Sequence, residues 1–177
     1  SSLTIISRIL GFLRDMPINR SRTLALALGG GFSFQRFGHN LFINNTTTTG
    51  HTNFTTVSSN FNSNHFSYAA IDFPLEIRWR NATPSSFRFW RIYPGARISY
   101  AWWHRAAFHS DTQKVIVNQL AEFNKWRYEL TLSVGNGTLN FHINYTLNNL
   151  FTGASLQGTT DLLALNPLKV GLLFYIL

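Results

Sequence analysis

The chain has 177 residues, one domain's worth, a formal net charge of +8, and only 12% charged residues beside 15% aromatics. Soluble domains carry about 25% charge, and the missing cysteine excludes a disulfide framework or a thiolate metal site. No run approaches ~18 consecutive apolar residues, which excludes a transmembrane helix. With a mean hydropathy of -0.03, the composition suits strands that are apolar only at alternate positions. A basic balance also fits nucleic acid, anionic lipid or acidic proteins. The basic residues are spread through strands and turns and form no nucleic-acid motif, so no nucleic-acid partner is expected.

Ser1–Leu13 is not a signal peptide: it has no basic start, Arg8 interrupts it, and no small-residue cleavage site follows. An exported chain would have lost its signal or carry it upstream. Gly11–Arg14 closes a strand, and Asp15–Arg22 reads as a turn with Pro17 and Asn19 as breakers. Thr23–Gln35 is the next strand. Leu24, Leu26, Leu28, Phe32 and Phe34 form one face, and small residues such as Ala25, Ala27, Gly29 and Gly31 form the other, as a narrow lumen requires. Arg36–His65 is a long polar loop, and its almost low-complexity part, Asn44–Gly50, has little to bury.

Phe66–Arg80 alternates firmly. Ala69, Ile71, Phe73, Leu75, Ile77 and Trp79 face out, while Tyr68, Ala70, Asp72, Pro74, Glu76, Arg78 and Arg80 face in. A short turn at 81–86 leads to Phe87–His104. There Trp90, Ile92, Ile98, Tyr100 and Trp102 alternate with Arg91, Tyr93, Arg97, Ser99 and Trp103. Pro94 falls on the outer face and must sit at a bulge or irregular point. Trp90 and Trp102 are twelve residues apart. At ~3.3 Å per residue and a tilt of ~40–45° they bracket a band roughly 28–30 Å tall.

A second long loop, 105–124, precedes the clearest signal in the chain. Lys125–Asn148 holds Asn136-Gly137, the mark of a two-residue type I′ turn. That turn would pair Gly135 with Thr138, Ser133 with Asn140, Thr131 with His142, Glu129 with Asn144 and Arg127 with Thr146. One face is then wholly polar and carries Arg127, Glu129 and His142. The other is apolar over about ten residues per strand, a membrane-spanning length, with Trp126, Tyr128 and Tyr145 at the end away from the turn. A third long connection, 149–165, leads to the last strand, Asn166–Leu177.

Short connections (15–22, 81–86, 136–137) alternate with long loops (36–65, 105–124, 149–165), the outer-membrane pattern. The expected fold is all-β: a single domain over 1–177 forming a small antiparallel up-and-down transmembrane β-barrel of about 8 strands and OmpA/OmpX-like size. Seven strands can be counted. The eighth is expected before Ser1, or Ser1–Arg8 belongs to it. The aromatic girdle would comprise Trp79, Trp90, Tyr100, Trp102, Trp126, Tyr128 and Tyr145. Localisation in the bacterial outer membrane, against lipopolysaccharide and phospholipid, follows. At the chain's end, Lys169, Gly171, Phe174 and Ile176 resemble the polar-x-Gly-x-x-aromatic-x-hydrophobic signal read by the outer-membrane assembly machinery.

Further strings carry a family resemblance. Gly11-Phe12-Leu13-Arg14-Asp15-Met16-Pro17-Ile18-Asn19, Pro74-Leu75-Glu76-Ile77-Arg78-Trp79-Arg80, Phe89-Trp90-Arg91-Ile92-Tyr93 and Leu168–Leu177 look like the PorT/SprT proteins of Bacteroidetes. The resemblance implies a small outer-membrane barrel needed for type IX protein secretion, and for gliding where that occurs. It implies partners among the other secretion-system proteins and no catalytic motif.

Read as chemistry, the inward face sets Asp72, Glu76 and Glu129 against Arg78, Arg80, Arg91, Arg97, Lys125, Arg127 and Lys169. The expectation is a salt-bridged plug with His142 as a hydrogen-bonder, rather than an anion pathway. His109-Ser110-Asp111 cannot form a triad from adjacent positions. His104 or His142 as general base of a lipid-modifying barrel enzyme is the second reading, and a generic small porin-like barrel or a soluble lipid-binding barrel the remaining ones. No catalytic, cofactor or metal residue is assigned. Arg14, Arg20, Arg22, Arg80, Arg88 and Arg91 gather at the expected periplasmic end as a docking rim or a lipid-snorkelling belt.

Overall fold

The computed structural model describes residues 4–38, 41–45, 52–56, 63–81, 90–109, 114–118, 123–136, 139–151 and 166–174. Every regular element among them is a strand: β1 (Thr4–Pro17), β2 (Leu24–Gly38), β3 (Leu41–Asn45), β4 (Thr52–Thr56), β5 (Ser63–Arg80), β6 (Trp90–His109), β7 (Lys114–Asn118), β8 (Trp126–Asn136), β9 (Leu139–Thr146) and β10 (Leu168–Phe174). One curled antiparallel sheet runs β1-β2-β5-β6-β8-β9-β10, with β7 paired to β6. The protein is thus all-β, with a curled sheet of small-barrel type. β1 and β10 are its edges. The short connections β1–β2, β5–β6 and β8–β9 lie at one end, the turn end, and the long ones at the other, the loop end.

The strands run further than the loop boundaries suggest. β5 has 18 residues and β6 has 20, so both extend past the aromatic boundary into segments read from sequence as loop. The 36–65 loop contains a separate hairpin, β3–β4. At the turn end, β1 continues to Pro17, and Asn19 organises the turn instead. Its side-chain oxygen accepts from the Leu24 N–H at 3.0 Å, and its amide donates to Thr23 Oγ1 at 2.7 Å.

One register detail corrects the sequence reading, and a second shows Pro94 at an irregular point of the ladder rather than at a bulge. In the β8–β9 hairpin, Asn136 pairs with Leu139 and Glu129 with Thr146, a shift of two from the pairing expected of an Asn136-Gly137 turn. Residues 137–138 lie outside the described ones. Because the side-chain period is two, the shift moves no side chain to the other face. Pro94 causes no change of register. The β5–β6 ladder skips the positions opposite Ile77 and Arg78 and resumes in phase, because proline has no N–H to give. The bulge lies elsewhere, between Ala69 and Ala70. There Trp102 is the extra residue, and β6 changes phase beyond it.

Glycine sets the curl between β1 and β2. A Cβ on Gly29 would lie 2.0 Å from the Phe12 carbonyl oxygen, and one on Gly31 would lie 2.7 Å from that of Leu10. Only glycine allows strands to approach this closely.

Candidate functional site: a packed interior and an apolar belt

The concave face is filled in layers. Nearest the turn end, Arg78 Nε donates to Glu76 Oε2 at 2.9 Å, and Arg78 and Arg80 both pair with the Asp15 carboxylate. The Arg78 guanidinium lies 4.9 Å over the Tyr93 ring. Strand parity brings these groups together: Asp15, Glu76, Arg78 and Tyr93 are inward residues of β1, β5 and β6, and the small Ala27 of β2 is all that stands between Asp15 and Glu76 along the rung.

At mid-depth the centre is Glu129, 2% exposed. Its carboxylate accepts from Arg97 Nε at 2.6 Å, Lys169 Nζ at 2.7 Å, Asn144 Nδ2 at 3.1 Å and Thr146 Oγ1 at 3.3 Å. An ionised carboxylate is acceptor-only with about four lone-pair sites, so four donors satisfy it. Lys169 also donates to Gln35 Oε1 at 2.9 Å. That bond joins β10 to β2 across the interior and shows how far the sheet curls. Ser33 donates to Asp72 Oδ1 at 3.1 Å, and Ser133 and His142 Nδ1 stand 2.8 Å apart. The hydroxyl–imidazole pair is of an enzyme-like type, but Glu129 is committed to Arg97 and Lys169 rather than to the imidazole.

At the loop end the filling turns aromatic. Phe66 packs on Phe123 at 5.1 Å, Phe151 at 5.5 Å and Tyr68 at 6.2 Å, and His104 lies 4.5 Å from Phe123. Phe37, Val117 and Leu150 complete the cluster. Arg127 joins the two regimes. Its guanidinium donates to the carbonyls of Asn149 and Leu150, each at 2.9 Å, and lies 5.0 Å over Phe123. Sequence reasoning missed Phe123, Leu150 and Phe151 because they lie in nominally polar loops. The signal was present: extending the alternation of the hairpin puts Phe123 and Leu150 on the inward parity.

The convex face is the reverse. Leu10, Phe12, Phe32, Phe73, Leu130, Phe141 and Val170 are exposed on it. Trp79 and Trp90 flank this belt near the turn end, Trp79 level with Leu24 and Trp90 with Asn136. Trp126 and Tyr100, ring centroids 5.0 Å apart, flank it at the other end with Trp102; Tyr128 stands one rung deeper and Tyr145, opposite Leu130, two.

The other expected site residues divide. Asp72, Glu76, Arg78, Arg97, Arg127 and Glu129 are buried, and His142 is half-buried. Of the arginine rim, Arg14, Arg20 and Arg22 are exposed; Arg80 is drawn to Asp15, and Arg91 is buried. Those two are therefore not available as rim. Arg88 lies outside the described residues. Trp103, expected to face in, is 36% exposed, turned outward by the bulge. In the terminal motif, Lys169 belongs to the Glu129 layer, Gly171 has open space where a Cβ would project, and Phe174 is exposed; Ile176 lies outside the described residues. No group of three or more His, Asp or Glu residues suited to a metal ion occurs among the described residues.

Compared with protein-family models, curated proteins and solved structures, the chain matches none.

Proposed function

We propose that the chain is an outer-membrane β-barrel that serves type IX protein secretion, and with it gliding, as a non-enzymatic accessory. It works by binding or assembling other components rather than as a pore. The observation that carries this reading is the inversion of a soluble fold: charged residues are buried in an ion-paired, hydrogen-bonded network, while an apolar belt edged by Trp and Tyr is exposed. An aqueous surface of that kind would aggregate; a bilayer requires it. The ion layers and the aromatic cluster occupy the concave side, which favours interaction over conduction. The narrower assignment to secretion is supported by the resemblance of Gly11–Asn19, Pro74–Arg80 and the terminal strand.

Two measurements test it. The chain should stay monodisperse only in detergent or lipid; a monodisperse detergent-free protein would sink the membrane reading. Gentle pull-down from native membranes, followed by mass spectrometry, should retain secretion-system components. Their absence, with the barrel intact in the membrane, would sink the secretion assignment alone.

A further inference from the structure

The convex face is not apolar throughout. Beyond the aromatic boundary at the loop end it carries a pocket of about 330 Å³ lined by Phe34, Arg36, His65, Trp103 and Arg105 among others. The pairing builds it in rungs. Phe34 of β2, Ala69 of β5 and Trp103 of β6 stand side by side, and the two rings stack across Ala69 with centroids 6.3 Å apart. One rung further out, Arg36, Ser67 and Arg105 are aligned on the same strands. The arginines are two strand spacings apart, roughly 10 Å between Cα atoms, with the small Ser67 as the floor between them. His65 follows on the next rung.

The β-bulge creates this arrangement. Below it, the even-numbered residues of β6 face outward. Beyond Trp102 the odd ones do, so Trp103 and Arg105 enter the convex face while His104, Ala106 and Phe108 enter the buried interior. None of the described residues lining the pocket is a carboxylate. His65 Nδ1 is enclosed without a hydrogen-bond partner among the described residues. His65 lies beyond the aromatic boundary, outside the spanning part of its strand. Burial, then the positive charges of Arg36 and Arg105, hold its pKa below the usual imidazole value. Positive groups crowded around one pocket without a counter-charge call for an anion.

We infer that this pocket binds the phosphate of a lipid headgroup in the loop-end leaflet, with Arg36 and Arg105 as a two-sided clamp and the Phe34–Trp103 stack beneath its acyl chains. A lipid, rather than a free anion, is indicated by continuity. The stack is the upper edge of the exposed apolar belt, so a ligand with a phosphate head and hydrocarbon tails meets matching surface along its whole length. This rests on the membrane reading above.

The test uses the full chain reconstituted into vesicles of zwitterionic phospholipid. Co-flotation is measured first, and a chain that does not float overturns the membrane reading and this site with it. Floating protein is then extracted with lipid A carrying its phosphates, with the dephosphorylated lipid, or with inorganic phosphate, and the lipid retained per chain is read by native mass spectrometry. The phosphorylated lipid should be retained selectively, with about a tenfold loss in the Arg36→Gln/Arg105→Gln variant. Lys125→Gln, which removes an exposed charge at the same end of the sheet, should retain the wild-type amount. Phe34→Ala/Trp103→Ala should weaken retention of the lipid, and an excess of inorganic phosphate should not displace it. Equal retention of the dephosphorylated lipid, unchanged retention in the double arginine variant that still floats, or displacement by inorganic phosphate would each overturn the lipid clamp and leave the membrane reading standing.

Discussion

Glu129 and Phe66 are both enclosed on the concave face, at 2% and 0% exposure, yet they hold the sheet together differently. Glu129 is a hub. Arg97, Lys169, Asn144 and Thr146 all orient to one carboxylate. Its loss strands cations that have already given up water, so the cost exceeds the worth of any single bond. Phe66 is one member of a cluster held by dispersion and excluded water, and its neighbours survive its removal. The polar layers couple strands that are distant in sequence through specific geometry. The aromatic layer closes the loop end by bulk.

The largest expected effect breaks the hub. Glu129→Ala should destabilise the fold by about 4–5 kcal/mol in denaturant titrations of the reconstituted protein, by leaving Arg97 and Lys169 without a counter-charge. Glu129→Ala together with Lys169→Met should recover part of that loss; no recovery would show that Lys169 is not coupled to the hub. Phe66→Ala should cost about 3 kcal/mol, a cavity at the centre of the aromatic cluster. Leu130→Arg places a charge on the exposed belt at mid-height, between the Trp90 and Trp126 rungs, and should cost ~2–3 kcal/mol in a bilayer. A shift under about 0.5 kcal/mol, usual for a soluble surface, would contradict the belt's assignment to lipid. The smallest effect sharpens the comparison most. Glu129→Ala combined with Phe66→Ala should be additive within about 0.5 kcal/mol if the two fillings are independent. A larger coupling would identify Arg127, which touches the aromatic cluster and lies close in sequence to Glu129, as a rigid bridge between them.

Much of this molecule was legible before any coordinates. The alternation of Phe66–Arg80 and of Lys125–Asn148 placed Asp72, Glu76, Arg78, Arg127 and Glu129 on the inward face, because strand side chains have a period of two whatever the register. That robustness is why the hairpin pairing was displaced by two residues while its faces came out right. Other features were not legible. The bulge at Ala69/Ala70 carries no composition signal, yet it decides that Trp103 and Arg105 face out and His104 faces in. Asp15 was read as a turn residue because Pro17 and Asn19 follow it, although β1 continues past it to collect Arg78 and Arg80.

The sequence by itself determined the all-β class, the two faces of the strands that keep a single phase and the aromatic edges of the belt, since these depend only on local periodicity and side-chain type. Tertiary structure alone decided which inward charges meet, that Phe123 and Phe151 fold into the interior, and that Arg36 and Arg105 flank one pocket. These are relations between strands. They depend on register, bulges and curl, which arise from pairing across the sheet and leave no trace in the order of residues along one strand.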